Sequence, residues 1–518
     1  MVNGNNQHGP DYTANEKHLV LAAIDEYERP VSIRTLGAYA ESIGVKTTLL
    51  IIIKQPAEIG QPIVFSDREI RDVSSWLAKE KVTHLGFYLM TASLHPYALL
   101  VKLLRAAGYK GVIMAGGVHA TLCPAESLVD GAEYAVQGPG ELPLQMILNG
   151  ADPASIPGLV WRRNGQIAAN AKSLEQKLNV NALPFPIFRF NDRDWILADN
   201  RLRRLTWALH KKYAVWGGRY YDMLTSRGCV YRCAYCCNVN GAPVRRVSVG
   251  HAIEEIRSVK ERAPGIAGIN FQDDSFFAGS DEWLEEFCSR MKAEIGIPFI
   301  VRMIPRYVTK KRIQLLKSAG LEYVTMGLEG SDRVNKKIYN RQETVQSFLN
   351  AARIIIDAGI YLSTDIIINN PYEREGDLRQ LALTLNVLPR SNWGVVALPL
   401  TPFPNTPLYE RCMQDNLLAH FGTDPYDSML ITSRPGGYVT PRFWMLLNTQ
   451  VLPSIPQELG EELITAGPCD DKASQRVEKL AVQLRRARKV TRWLNAIVPW
   501  LRPAVRHALK RVMKRNSK

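Results

Sequence analysis

Two stretches of the chain alternate short β-rich runs with amphipathic segments of helical spacing, and this alternation limits the fold more than any other feature. In the first stretch, residues 18–23, 47–53, 84–90, 112–115 and 134–136 predict strands, and 33–43, 67–80, 95–107 and 123–128 predict helices between them. Strands joined by crossovers of this length form a parallel sheet wound on both faces, with its ligand site at the carboxyl ends of the strands. In the second, residues 222–226, 269–272, 299–303, 323–327, 363–368 and 394–398 predict six further strands. Six βα units in roughly 200 residues predict a partial (β/α)6 TIM-like barrel, whose active site would lie at the C-terminal strand ends.

At 518 residues the chain holds two or three domains. The expected division is a polar tail over 1–16, a Rossmann-like α/β domain over 17–170, a linker over 171–215 and the barrel over 216–418. A cap region over 419–470 and a basic, mostly helical tail over 471–518 complete it. Asn164-Gly165 predicts a hairpin turn within 157–169. Residues 1–17 lack the basic start and apolar stretch of a secretory signal, so no export and a cytoplasmic location are expected. The longest apolar runs, 48–53 and 394–400, fall far short of the ~20 residues a bilayer span requires.

The usual nucleotide signals are missing from the first domain. No GxxxxGK phosphate loop exists, and Gly138-Pro139-Gly140-Glu141 lacks the third glycine of GxGxxG and follows the last strand. At the strand ends stand Gly116-Gly117-Val118-His119-Ala120-Thr121 and the Gly138–Glu141 turn. Glycines there either let the backbone approach a large flat ligand or serve the βα turns alone.

Eight cysteines are too few for a disulfide scaffold, and four of them fall between 229 and 237. Cys229, Cys233 and Cys236 form CxxxCxxC directly after the first barrel strand. Three thiolates on one loop can hold three irons of a 4Fe-4S cluster and leave the fourth iron open, which points to chemistry rather than electron storage. A zinc site would need a second pair of ligands, and none stands nearby.

This segment resembles the radical SAM superfamily. The resemblance implies that the open iron binds S-adenosylmethionine and that the reduced cluster cleaves it to methionine and a 5′-deoxyadenosyl radical. It makes Cys229, Cys233 and Cys236 the cluster ligands and puts Tyr235 against adenine, with Cys237 extra to the motif. Asp273 and Asp274 stand where the family binds the methionyl ammonium, a pairing favoured by charge. Arg302, Glu329 and Ser331 follow at the next strand ends, Glu329 toward the ribose hydroxyls. Ile368 lies in Asp365-Ile366-Ile367-Ile368-Asn369-Asn370-Pro371-Tyr372-Glu373, which resembles the family's adenine segment with asparagine where glycine is usual. Phe403-Pro404-Asn405-Thr406-Pro407-Leu408-Tyr409 resembles the family's PFPGTPLY.

With its GGxHAT and GxGE turns, the first domain resembles the cobalamin-binding subfamily. Gly116, Gly117, His119, Gly138 and Glu141 are then the candidate cobalamin residues. The DxHxxG motif that supplies a histidine to cobalt is absent, so cobalamin would be held without histidine ligation. The resemblance implies methyl transfer to an unactivated carbon of a lipid-like or natural-product small molecule, with an external electron donor, or else radical cyclisation or rearrangement. An RNA-modifying enzyme would carry three further cysteines in this domain, which has only Cys123. A non-enzymatic electron carrier would leave the open cluster site without a purpose.

The net charge of +15 is local. Residues 471–518 hold 15 Lys and Arg against two acids, +13, which leaves +2 for the rest. In this tail Val490, Trp493, Leu494, Ile497, Val498 and Leu501 recur at helical spacing among basic residues. That pattern predicts either an anchor at an anionic membrane surface, peripheral to the inner face, or a helix docked on the barrel with a solvated basic face. Nucleic acid is a third and weaker fit.

Overall fold

A computed structural model describes residues 17–28, 31–56, 61–163, 165–171, 179–238, 243–276, 279–421 and 440–497. The 1–16 tail, Asn164 of the expected turn, residues 172–178 of the expected linker, 422–439 of the expected cap and 498–518 of the basic tail lie outside these residues. The chain divides into two compact units, the first mainly residues 1–221 and the second mainly 222–518.

In the first unit nine strands form one sheet: β1 His18–Asp25, β2 Lys46–Ile53, β3 His84–Tyr88, β4 Val112–Gly116, β5 Tyr134–Val136, β6 Leu159–Arg163, β7 Gln166–Ala169, β8 Trp195–Ala198 and β9 Arg201–Arg204. Their order is β7-β6-β5-β4-β3-β1-β2-β8-β9, and β1 to β5 pair in parallel. The sheet is buried on both faces, which is why β1 and β2 are nearly continuous apolar runs. Alternate residues of β1 serve opposite faces: Val20, Ala22 and Ile24 join one core and Leu19, Leu21 and Ala23 the other. The strand order reverses between β1 and β3, the point where doubly wound sheets open a crevice at their carboxyl ends.

Part of the expected linker is sheet. β8 pairs in parallel with β2, and β9 returns antiparallel across Asp199-Asn200, both at positive φ of 51° and 57°. That pair is the signature of a tight two-residue hairpin turn. The Pro-broken stretch ahead of it concealed the strand signal.

The second unit carries β10 Tyr220–Met223, β11 Ser226–Arg227, β12 Arg245–Arg246, β13 Gly268–Phe271, β14 Phe299–Arg302, β15 Leu321–Glu329, β16 Tyr361–Ile368 and β17 Trp393–Pro399. Six of them form a sheet in chain order, β10-β13-β14-β15-β16-β17, with parallel pairing from β13 onward. Sequential order with a helix after each strand is the geometry of a partial barrel. Helices follow at Val249–Arg262, Asp281–Arg290, Lys310–Ser318, Val345–Asp357 and Glu375–Asn386.

Past the barrel the chain is helical, with Arg442–Leu446, Gln457–Ala466 and a long helix Asp471–Ile497. Trp444 is fully buried and its indole N–H donates to Glu375 Oε2 (3.1 Å). The long helix buries Ala473, Val477, Ala481 and Leu484, one face at i, i+4, i+8 and i+11. Arg476 and Glu478 pair outward with Glu462 and Arg442, each at 2.7 Å. Over residues 471–488 the basic tail is thus a docked helix with a solvated charged face, and the side chains of the predicted stripe at 490–501 lie outside the described residues. No described helix is long and apolar enough to cross a membrane.

Candidate active site

The loop after β11 is fastened at its centre by backbone. Ala234 N–H donates to Tyr339 O (2.7 Å), Leu408 N–H donates to Ala234 O (2.9 Å), and Asn340 Nδ2 donates to Arg232 O (3.2 Å). Gly228 opens the loop at φ +95°. The loop and the C-terminal strand ends enclose a cavity of about 170 Å³, lined by Cys229, Cys233, Cys236, Tyr235, Asp274, Arg302 and Glu329. Tyr231, Asn238, Thr325, Arg341 and Asp365 line it too. Ordinary ligand sites run to roughly 300–1,000 Å³, so this cavity is too small for a corrin ring.

Glu329 reaches the cavity by a backbone irregularity. The β15–β16 register slips between Gly327 and Glu329, and Glu329 sits at φ +61°, which turns its carboxylate back over Gly327. A Cβ on Gly327 would stand 2.0 Å from Glu329 Oε1, so a side chain there would push the carboxylate out of this position. Arg341 Nη1 lies 3.9 Å from that oxygen, and its Nη2 donates to Gly327 O (3.1 Å). Burial pushes Glu329 up to about 7 against the pull of Arg341, and burial likewise lifts Asp365 to about 6. Asp274 is raised by burial as well, although Asn238 Nδ2 donates to it (2.6 Å).

All three cysteines of the motif carry thiols raised above their ordinary range. Burial dominates at Cys229 and Cys233; at Cys236 a hydrogen bond with Cys237 leads and burial follows. A donor set of three such thiols beside carboxylates and a buried arginine fits a cluster whose irons draw off the protons. Cys237 is exposed and lies outside the cavity lining.

Three expected ligand residues lie outside that lining. Asp273 is fully buried and accepts from Thr225 N–H (3.1 Å), Thr225 Oγ1 (2.8 Å) and the Ser226 hydroxyl. Its oxygens thereby hold the turn into the cysteine loop. Ser331 caps the helix Asp332–Lys337, accepting from Val334 N–H (3.2 Å) and donating to Asp377 Oδ1 (2.6 Å). Ile368 ends β16, where its carbonyl accepts from Leu400 N–H (2.8 Å). Sequence reasoning did not single out Tyr231, Asn238, Arg341 and Asp365, although Tyr231 sits in the cysteine motif and Asp365 opens the adenine segment.

In the first unit the strand-end glycines face room. A Cβ on Gly116 or Gly138 would meet nothing within 4 Å, whereas one on Gly117, at φ +100°, would strike the Tyr88 ring at 2.7 Å. The Thr121 hydroxyl donates to Gly117 O (2.8 Å) and accepts from Gly138 N–H (3.1 Å), so one side chain joins the two glycine loops. His119 is fully buried, with Nδ1 3.2 Å from Thr91 Oγ1 and Nε2 3.7 Å from Glu126 Oε2. Glu141 is buried at the start of the helix Glu141–Leu148. Open space over small residues fits a large flat ligand, and His119 is turned toward Thr91 and Glu126.

Residues 223–385 match the Radical SAM superfamily. The chain is 22% identical over 362 residues to an uncharacterized methyltransferase of Pyrococcus horikoshii, covering 68% of this chain and 74% of that protein. It is also 22% identical over 370 residues to the anaerobic magnesium-protoporphyrin IX monomethyl ester cyclase of Rubrivivax gelatinosus, 67% of this chain and 62% of the cyclase. In fold it resembles the radical S-adenosylmethionine methyltransferase TsrM from Kitasatospora setae, solved with cobalamin and a 4Fe-4S cluster bound. There the TM-score is 0.63 at 18% identity, over 78% of this chain and 79% of TsrM.

Proposed function

We propose that the chain, whose residues 223–385 match the Radical SAM superfamily, is a cobalamin-dependent radical SAM enzyme that methylates an unactivated carbon of a lipid-like or natural-product small molecule. The observation that carries this reading is the meeting of three loop cysteines, Glu329 and Arg341 in one cavity at the barrel's strand ends. Cys229, Cys233 and Cys236 would hold the 4Fe-4S cluster, and Gly116, Gly117, Gly138 and Glu141 would line the cobalamin site. When bound, the reduced cluster supplies cleavage of S-adenosylmethionine to a 5′-deoxyadenosyl radical and cobalamin supplies methyl carriage.

The chain's own residues position and shield. Asp274 accepts from the methionyl ammonium, and Glu329 as carboxylate accepts from the ribose hydroxyls. Tyr235, edge-on to Tyr339 at 5.0 Å, walls the adenine side. Asp273 and Ser331 act at one remove, by fixing the backbone that presents the cysteine loop and the β15 end. Burial around these groups keeps water from the radical. The electron comes from an external low-potential donor.

Methyl transfer is favoured by the methyltransferase names of the Pyrococcus relative and of TsrM. Cyclisation without methyl transfer is the second reading, and the cyclase relative favours it. The net +13 of the tail supports attraction to an anionic membrane surface.

The test is anaerobic incubation of reconstituted protein with S-adenosylmethionine, hydroxocobalamin and a reductant. The expected products are 5′-deoxyadenosine together with S-adenosylhomocysteine, and neither from Cys233→Ala. The homocysteine product reports the methyl group leaving, so 5′-deoxyadenosine alone moves the assignment to the cyclase reading. No 5′-deoxyadenosine from the unaltered chain sinks both.

A further inference from the structure

Outside the barrel cavity, side chains of metal-binding type come together just past the carboxyl end of β4. His119 lies on the helix Val118–Leu122 and Glu126 on the helix Pro124–Ser127, with Cys123 at the junction. Spacings of four and then three residues stack them over successive turns. The stack is fixed by Cys123 N–H donating to His119 O (2.7 Å) and Ser127 N–H donating to Cys123 O (3.1 Å). A nitrogen of His119, the Cys123 sulfur and a carboxylate oxygen of Glu126 all lie within 4.8 Å of one another, and His119 Nε2 is 3.7 Å from Glu126 Oε2. Zinc bonds of about 2.0–2.3 Å put tetrahedral ligand atoms roughly 3.3–3.8 Å apart. The nitrogen–oxygen pair meets that spacing, and the half-exposed Glu126 has room to close the rest. His119 and Cys123 are buried. Burial holds the imidazole below its ordinary range against the pull of Glu126, so near neutral pH the ring is uncharged and offers a lone pair. Its Nδ1, 3.2 Å from Thr91 Oγ1, has a hydroxyl to orient the ring, which leaves Nε2 for a metal.

We infer that His119, Cys123 and Glu126 bind a zinc ion, with water in the fourth position, as a structural site separate from the cysteine loop of the barrel. Coordination releases the Cys123 thiol proton to solvent, and no electron moves. A nitrogen, a thiolate and a carboxylate suit zinc, whereas magnesium and calcium take oxygen ligands. Helices of five and four residues have little stability of their own, and the ion ties one to the other. Between its ligands sits Thr121, whose hydroxyl joins the Gly117 and Gly138 loops. The ion therefore holds both glycine loops in place, whether or not cobalamin lies over them.

The experiment uses the full-length chain carrying Cys229→Ala, Cys233→Ala and Cys236→Ala, so that the motif thiols take no metal. After anaerobic dialysis against zinc and then against metal-free buffer, elemental analysis should count about one zinc ion per chain. Adding Cys123→Ser should remove it. In competition with a chromophoric chelator, Glu126→Gln should bind zinc more weakly, and Thr91→Val, which loses the orienting hydroxyl, about tenfold more weakly. Cys469→Ser, at an exposed thiol, should change nothing. No zinc in the parent overturns the site, and so does zinc that survives Cys123→Ser. Binding by Glu126→Gln as tight as the parent's, or a loss of zinc with Cys469→Ser, overturns it equally. If Cys123→Ser does not fold, the exposed Glu126→Gln decides alone. If the triple alanine parent does not fold, the same variants are made in the unaltered chain with its cluster reconstituted, and zinc is counted beside iron.

Discussion

Glu329 combines three departures from an ordinary strand residue: positive φ, a register slip, and a carboxyl held at about 7 by burial. In the unfolded chain the same carboxyl ionises in the usual glutamate range. Between that range and about 7 the folded state therefore holds a proton that the unfolded state has lost, and stability falls as the pH rises through this window. The whole difference corresponds to about 3 kcal/mol. Urea denaturation of the apoprotein should show Glu329→Gln gaining on the unaltered chain from pH 5 to pH 8 by up to that amount; parallel curves would refute the assignment. The residue scale also explains the two asparagines that stand where the family has glycine. Asn369 and Asn405 lie at φ +60° and +58°, a region asparagine tolerates better than other side chains. Asn369 is further held by Thr440, its N–H donating to Thr440 Oγ1 (2.7 Å) while Thr440 N–H donates to its Oδ1 (2.9 Å). What looks like a departure from pattern in the sequence is the same backbone in the fold.

Elements were legible where apolar period and length agreed. β1 and β2 announce a doubly covered parallel sheet because their runs are continuous, and the six barrel strands stand out because amphipathic helices separate them. β8 and β9 were not, since four-residue strands carry too few alternations to rise above the proline-rich stretch before them. The basic tail carried two readings that periodicity could not divide: an apolar stripe looks the same whether protein or lipid covers it. For Ala473, Val477, Ala481 and Leu484, ahead of that stripe, protein covers the face; the side chains of the stripe at 490–501 lie outside the described residues. Val477→Asp should accordingly cost about 3–5 kcal/mol, the penalty for an uncompensated buried charge. Val482→Asp, on the exposed side at 39%, should stay within about 0.5 kcal/mol. Thermal melts of the two variants check this, and equal losses would place the buried face elsewhere.

For the molecule as a whole, the cysteine motif and the strand-end glycines were readable because each is local in sequence. The rest of the cavity was not, because Tyr231, Asn238, Arg341 and Asp365 are brought together only by the fold. Charge is equally uneven at this scale. A version ending at Ala487 keeps the buried stripe and removes ten basic residues. The full chain should float with vesicles containing anionic lipid and be released by salt, while the shortened one should not. A full chain that stays down at low salt would refute the membrane attraction.

The fastening of the cysteine loop has a further consequence, in time rather than space. Ala234 is held from one side by Tyr339 and from the other by Leu408, both far downstream. Chains emerge from the ribosome at about 5–20 residues per second, so for many seconds after the three cysteines appear the loop has nothing to close upon. On the proposed cluster reading, iron delivered early would meet a loose thiol loop, and the finished pocket waits until the barrel's last unit has been made.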